Sequence, residues 1–127
     1  MRSVDSLEAI NIPPKYKSHL NNYMRNISAL PFVNRVILFG GCAREDVKKY
    51  SDIDLFITTN RSITEDEETY ITYYCMPEYS KDTVPTDIIV QTEKDFNKYV
   101  GDRGMVQSQV FNEGVDISGL LRERTRD

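Results

Sequence analysis

Pro13-Pro14 punctuates the start of the chain, and the apolar residues behind it recur at helical spacing. Tyr16, Leu20, Tyr23, Met24, Ile27 and Leu30 form one stripe, which predicts an amphipathic helix stopped by Pro31. From Val33 to Phe39 the run becomes β-branched and nearly continuous, the pattern of a buried strand. Gly40-Gly41 breaks that strand, and Cys42 to Lys49 reads as a short helix. Asp52 to Thr59 then alternates, with Ile53, Leu55 and Ile57 on one face and Asp52, Asp54 and Phe56 on the other.

The second half is read the same way. Thr64 and Glu67 make a capping-box pattern, so a helix is expected between Ser62 and Met76, although Tyr70 to Tyr74 is also good strand material. Thr86 to Gln91 predicts a third strand, and Thr92 caps a short helix carrying Phe96 and Tyr99. After a break from Gly101 to Gly104, Met105, Val106, Val110 and Phe111 predict a helix ending at Gly114, and Val115 to Ile117 a short closing strand. Residues 1–12 and 120–127 are expected to be loosely held ends. The order α-β-α-β-α-β-α-α predicts an α/β chain of the α+β kind, a small mixed sheet flanked by helices in a single domain over 1–127.

Length and charge narrow the function classes. A chain of 127 residues suits one domain with its own core and needs no staple to fold. A formal charge of −4 argues against non-specific binding to nucleic acid, which usually shows as a basic face. It leaves room for a phosphate-bearing small molecule, because carboxylates bind divalent cations that bring phosphates in. Cys42 and Cys75 have no CxxC spacing and read as free thiols in a reducing compartment. The first residues introduce no apolar signal core, and the longest apolar run, Val36 to Ala43, is too short to span a bilayer. A cytoplasmic protein without membrane contact is the expectation.

Two short motifs carry candidate chemistry. Asp52 and Asp54, two apart on a strand, leave the same face, and adjacent carboxylates repel unless a positive group lies between them. For an isolated Asp-x-Asp, a polar strand end in solvent is the ordinary explanation. Upstream, Gly40-Gly41 lets the backbone approach a ligand at the start of a helix, a phosphate-friendly arrangement whose ordinary explanation is a tight turn. Held on neighbouring strands, the two motifs together suit a nucleoside triphosphate with its divalent cation.

The residues Leu38-Phe39-Gly40-Gly41-Cys42-Ala43-Arg44 and Tyr50-Ser51-Asp52-Ile53-Asp54-Leu55-Phe56-Ile57 resemble the signature of the DNA polymerase β-type nucleotidyltransferase superfamily. Its minimal, single-domain bacterial members (the MNT-like antitoxin group) are the most similar. The family pattern is a glycine followed by Gly or Ser, a short helix, Asp-x-Asp on the next strand, and a third acidic residue on a later one. Asp87, in Thr86-Asp87-Ile88-Ile89-Val90, stands where that third carboxylate belongs, and Phe111 to Val115 resembles the closing segment. The resemblance implies that Asp52, Asp54 and Asp87 hold two Mg²⁺ ions, with Asp87 accepting the hydroxyl proton. It implies that Gly40, Gly41 and Arg44 meet the triphosphate. Ser51 is placed in the nucleotide-binding set, its simpler role being to cap or orient the strand start. The reaction implied is transfer of a nucleoside monophosphate to a hydroxyl, with AMP from ATP expected.

The chain departs from that pattern at Gly41, where Ser is usual, at Cys42, where Arg is common, and at Glu45, where Gly is common. Fewer positive and more negative groups beside the phosphates would weaken triphosphate binding. The alternative is therefore a binding module that neutralises or scaffolds a partner by contact alone. The resemblance implies a small helical partner of the HEPN type, in a toxin–antitoxin pair, or a second subunit of a homodimer, to supply the acceptor. His19 is read as structural, Cys42 as a small packing residue, and the tyrosines from Tyr70 to Tyr79 as helix-packing groups.

Overall fold

Helix α1 (Pro14–Ile27) starts on a proline, where a missing N–H leaves no bond unmade. It ends at Ser28, whose amide and hydroxyl both donate to the Met24 carbonyl. Its stripe is buried as the periodicity requires, with Tyr16, Leu20, Tyr23, Met24 and Ile27 facing the main core. The helix ends three residues short of the predicted Leu30, which is half-buried in the turn beyond it. The computed structural model describes residues 1–49 and 51–125, with side chains as far as Leu121.

The sheet that α1 covers has the order β1-β5-β2-β3-β4. Its long strands are β2 (Val33–Phe39), β3 (Ile53–Thr59) and β4 (Thr86–Thr92). The short ones are β1 (Arg2–Ser3) and β5 (Val115–Asp116). β2 runs antiparallel to β3 and β5, whereas β3 runs parallel to β4 and β1 to β5. This is the mixed α+β architecture the element order predicts. A single-turn helix α2 (Gly40–Ala43) follows β2. Helix α3 (Glu65–Thr69) begins with the anticipated Thr64–Glu67 capping box and continues as a π-helical turn over Tyr70–Tyr74. Helices α4 (Glu93–Tyr99) and α5 (Val106–Glu113) follow β4, with Thr92 capping α4 as expected.

Side-chain parity divides the core. Val36, Leu38, Ile53, Leu55 and Ile57 point towards α1 and Ile71, forming the larger cluster. Ile37 and Phe56 point the other way, towards Phe96 of α4 and Val110 of α5, with the Phe56 and Phe96 rings 5.1 Å apart. The face bearing Asp54 and Asp87 is therefore the one that α4 and α5 partly roof. Among the described residues no helix is long and apolar enough to cross a membrane.

Three expectations are corrected. Residues 2–12 are built into the fold: β1 pairs with β5, and Leu7, Ile10 and Ile12 are buried. A two-residue strand and isolated buried side chains have no period to read, which is why the sequence pattern misses them. At the other end, Leu121 is also buried, while residues 126 and 127 lie outside the described residues. Asp52 precedes β3 rather than opening it.

The predicted helix from Cys42 to Lys49 is the third. It stops after one turn in a Schellman motif, with the Asp46 amide donating to Gly41 O (2.8 Å) and the Glu45 amide to Cys42 O (3.2 Å). That motif places its capping residue in the left-handed region, and Glu45 has φ +58°. A non-glycine residue there costs roughly 1–2 kcal/mol. Glu45 is held by its carboxylate, which accepts from the Asn11 amide (3.0 Å) and pairs with Arg2 (3.2 Å). The N-terminal segment thus ties down the loop after α2.

His19 is buried and structural, as expected, and its network fixes its tautomer. Nδ1 accepts from the Val84 amide (3.3 Å), and Nε2–H donates to the Thr86 hydroxyl (2.9 Å), which donates in turn to Val84 O. Burial pushes its pKa below the ordinary 6.5, consistent with a ring that must stay neutral to accept.

Two predictions follow from these contacts. In urea titrations, Glu45→Ala should lose about 1 kcal/mol because it keeps the left-handed backbone without its partners. Glu45→Gly should recover most of that loss, and equal destabilisation of the two would show that the left-handed turn does not limit this loop. His19→Leu should cost about 1–3 kcal/mol at neutral pH by orphaning the Val84 amide. Because the folded pKa is lowered, the wild type's His19 contribution is complete above 6.5 and is lost as pH falls through the folded value. The stability difference from His19→Leu should shrink over that range when both are followed against pH.

Candidate active site

The end of β2 and the starts of β3 and β4 meet along one end of the sheet, the carboxylate edge, because β2 is antiparallel to β3 and β3 parallel to β4. In register, Phe39 lies beside Asp54 and Asp54 beside Asp87. Two carboxylate residues thus stand abreast on neighbouring strands, immediately after the point where Gly40 leaves β2. Asp54 is half-buried, while Asp52 and Asp87 are exposed.

Glycine at position 40 is a steric requirement. Its φ is +70°, and a Cβ there would lie 2.4 Å from the Asp54 Oδ2. The backbone must therefore turn sharply beside the carboxylate, leaving the first turn of α2 next to it. Phe39, at the N-cap of that turn, supplies no side-chain hydrogen bond. Gly41 is also closely approached, since a Cβ there would lie 3.2 Å from Asp46 O. The Ser-to-Gly departure therefore coincides with a tight crossing of the loop that follows.

The start of β3 is pinned from two sides. The Tyr16 hydroxyl donates to Ser51 O (2.6 Å), and the buried Cys42 thiol donates to Asp52 O (3.8 Å). Burial and the nearby Asp54 push the Cys42 thiol up to about 11, so at neutral pH it remains a protonated packing group. Its side chain belongs to the main core, so it is not directed towards a ligand. The Ser51 hydroxyl accepts from the Lys48 amide (2.7 Å), which fits the capping role and occupies it within its own loop.

Charge at this edge is unevenly compensated. Burial raises the Asp54 pKa, and the negative charges of Asp87 and Asp52 raise it further, with Arg44 opposing them. Arg44 is itself drawn to Glu113 at the end of α5 (3.3 Å). Lys48 pairs with Asp46 on the surface (2.8 Å). The charge of Glu45 is directed to Arg2 and Asn11, so the added negative charge at that departure has its own partners.

A divalent cation fits the donor type, since hard oxygen ligands with uncompensated negative charge are what such a cation relieves. The arrangement offers a pair rather than a closed cage: among the described residues no three His, Cys, Asp or Glu side chains converge as a ready ligand cluster. Asp54 and Asp87 would supply two ligands, with the remainder from Asp52 or from substrate phosphate. Every sequence-predicted site residue thus lies on or beside this edge, with Asp52 one residue and Ser51 two residues ahead of β3. Cys42 is the small packing residue the sequence reading expected, while Tyr16 and Glu113 are supporting residues that sequence reasoning missed. Only the position of Tyr16 on the apolar stripe of α1 could have pointed to one of them.

Residues 19–117 match the family model of the nucleotidyltransferase domain. No curated protein matches the chain. Among solved structures, a candidate nucleotidyltransferase from Sulfolobus solfataricus is 19% identical over 68% of this chain and 81% of its own, with a TM-score of 0.44, too loose a likeness to carry an argument. That family uses nucleoside triphosphates and divalent metal, and its model spans most of this sequence, from α1 through the paired carboxylates to the last strand. The chain belongs to the nucleotidyltransferase domain family.

Proposed function

We propose that the protein is a Mg²⁺-dependent nucleotidyltransferase of the cytoplasm that moves AMP from ATP to a hydroxyl of a partner protein. We further propose that the partner is a small helical protein of the HEPN type, with which this chain forms a toxin–antitoxin pair. The observation that carries the reading is the close placement of Gly40 against Asp54, with Asp87 in register on the next strand. It joins a backbone turn suited to phosphate with carboxylates suited to a cation at a single point.

The roles follow from position. The backbone N–H groups of Gly40 and Gly41 cradle the triphosphate, and Arg44 exchanges Glu113 for a phosphate oxygen. Asp52, Asp54 and Asp87 would hold a pair of Mg²⁺ ions, and these would supply positive charge to acidify the acceptor hydroxyl and offset the charge on the phosphates. Asp87 accepts the hydroxyl proton. The hydroxyl oxygen forms a bond to the α-phosphorus, the bond from that phosphorus to the bridging oxygen breaks, and pyrophosphate leaves with the electron pair. Tyr16 and Cys42 hold the backbone of Ser51 and Asp52 so that the carboxylates do not drift apart.

A second reading, a module that binds its partner without catalysis, is favoured by the engagement of Arg44 with Glu113 and by the lack of a closed ligand cluster among the described residues. Labelled nucleotides discriminate. The chain is incubated with each labelled triphosphate, Mg²⁺ and the product of the neighbouring gene, and label on protein is measured. Transfer should favour ATP, and Asp54→Asn should reduce it by about 10²-fold or more while partner binding persists. If wild type and variant both fail to transfer label and neutralise the partner equally, the second reading replaces the first.

Stability gives an independent check. Because Asp54 is held above its ordinary pKa of 3.8, its ionised form opposes folding, and that opposition grows as pH rises through the folded value. Without divalent metal at neutral pH, Asp54→Asn should therefore melt above the wild type. Mg²⁺ with ATP should raise the melting point of the wild type and leave the variant unmoved.

A further inference from the structure

The crossover from β3 to β4 carries a surface that includes none of the residues assigned above to nucleotidyl transfer. The π-helical turn buries Ile71 and Cys75 against α1 and turns its tyrosines outward. Tyr70 is 49% exposed, Tyr73 70% and Tyr74 67%, and their rings contact one another, with Tyr70 and Tyr74 6.1 Å apart and Tyr73 and Tyr74 5.1 Å apart. Tyr79, in the loop that follows, is 94% exposed. Beside them lies an open apolar recess of about 300 Å³, lined by Leu30, Phe32 and Tyr70 and rimmed by Asp66 and Glu67. The helix-packing role expected for these tyrosines falls instead to Ile71 and Cys75.

The charge around the recess is mostly negative, and the cation beside it, Arg61, is already paired. α3 opens with Glu65, Asp66, Glu67 and Glu68 and has no basic residue in its last turn. Arg61 is committed to Glu67 and lies over the Phe32 ring (4.7 Å). Among the described residues no cation forms an ion pair with Glu65, Asp66 or Glu68. Clustered exposed tyrosines around an apolar recess have the make-up of a protein-binding core, since their rings give a large rigid contact area and a polar tip.

We propose that the tyrosine face of α3 and its π-helical continuation docks a basic segment of another protein, with an aliphatic side chain filling the Leu30–Phe32–Tyr70 recess and flanking Lys or Arg meeting Asp66 and the adjacent Glu65. Charge selects this occupant. Nucleic acid and anionic membranes would be repelled by the acidic rim. A second copy docked face to face by a two-fold axis would set the two acidic runs against each other. A basic protein segment satisfies both the apolar and the charged halves, and the acidic rim would speed its encounter. The surface stands independently of the catalytic reading.

The test uses the full chain, labelled with ¹⁵N, and a fluorescent helical peptide of Leu and Lys at amphipathic spacing. A control peptide carries Ser in place of Leu and keeps the charge. The Leu/Lys peptide should shift the amides of Phe32 and of the segment from Asp66 to Tyr74. Its affinity should fall about tenfold with Tyr73→Ala or Asp66→Lys, and the Ser peptide should bind about tenfold more weakly than the Leu peptide. Tyr73 is exposed, so its truncation leaves the fold intact while Asp66→Lys probes charge separately. Equal binding of the two peptides, or shifts centred on Asp52, Asp54 and Asp87, would overturn the proposal. So would self-association in sedimentation, or binding of single-stranded oligonucleotide, that Tyr73→Ala removes. Since Asp54→Asn should leave peptide binding untouched, loss of catalysis and loss of docking are separable results.

Discussion

The approach of two strands at one point governs the geometry of the candidate site. Gly40 comes so near the Asp54 carboxylate that no side chain fits between them. A chain leaving β2 there must turn at positive φ, and it has only one helical turn before it must come back towards β3. The return is closed by the Schellman hydrogen bonds of Glu45 and Asp46, which force Glu45 into a left-handed conformation that glycine would adopt more cheaply. Holding Glu45 there draws on Arg2 and Asn11. The constraint thus propagates outward, from a carboxylate at the sheet edge to the first residues of the chain.

The same edge carries an electrostatic strain that hydrophobic packing elsewhere must absorb. Burial and two neighbouring carboxylates oppose ionisation of Asp54, and Arg44, the cation opposing them, is shared with Glu113. An apolar core on both faces of the sheet supplies the stability that tolerates this. Such a trade is usual where a site must remain ready for a charged ligand. The acidic character of the chain is therefore not spread evenly over a solvated surface. It forms local clusters at the carboxylate edge and at the start of α3, two regions that suit different chemistries because one adjoins backbone N–H groups and the other exposed aromatic rings.

The long elements were legible because each carries a period. The α1 stripe, the β2 and β3 runs and the Thr64 capping box all reappear where the pattern placed them. The two motifs of the site were legible too, as was the strand that places Asp87 beside Asp54. What the pattern could not give were features set by single contacts. β1 is two residues long, and the helix after Gly41 is cut short by hydrogen bonds to its own backbone rather than by a proline. Glu45 reads in sequence as a misplaced charge, yet spatially it is a fastener for the N-terminal segment. The tyrosines from Tyr70 onward have helical spacing, but nothing in that spacing says which side a π-helical turn will bury.

Helix α1 joins these pieces through the polar ends of its buried stripe. Tyr16, His19, Tyr23 and Asn26 succeed one another at intervals of three or four, so their tips emerge along one side of the helix. The Tyr16 hydroxyl donates to Ser51 O beside the Asp-x-Asp pair, and His19 bonds Val84 and Thr86 just ahead of Asp87. Tyr23 donates to Ile71 O and Asn26 to Cys75 O, fixing the turn that displays the tyrosines. Each bond holds a stretch of irregular or strained backbone that the apolar packing alone would leave free to shift. One helix therefore sets the carboxylate edge and the aromatic face at a defined spacing. Because its polar tips bond backbone atoms or the neighbouring Thr86 hydroxyl rather than the carboxylates themselves, the acidic side chains stay available for whatever binds them.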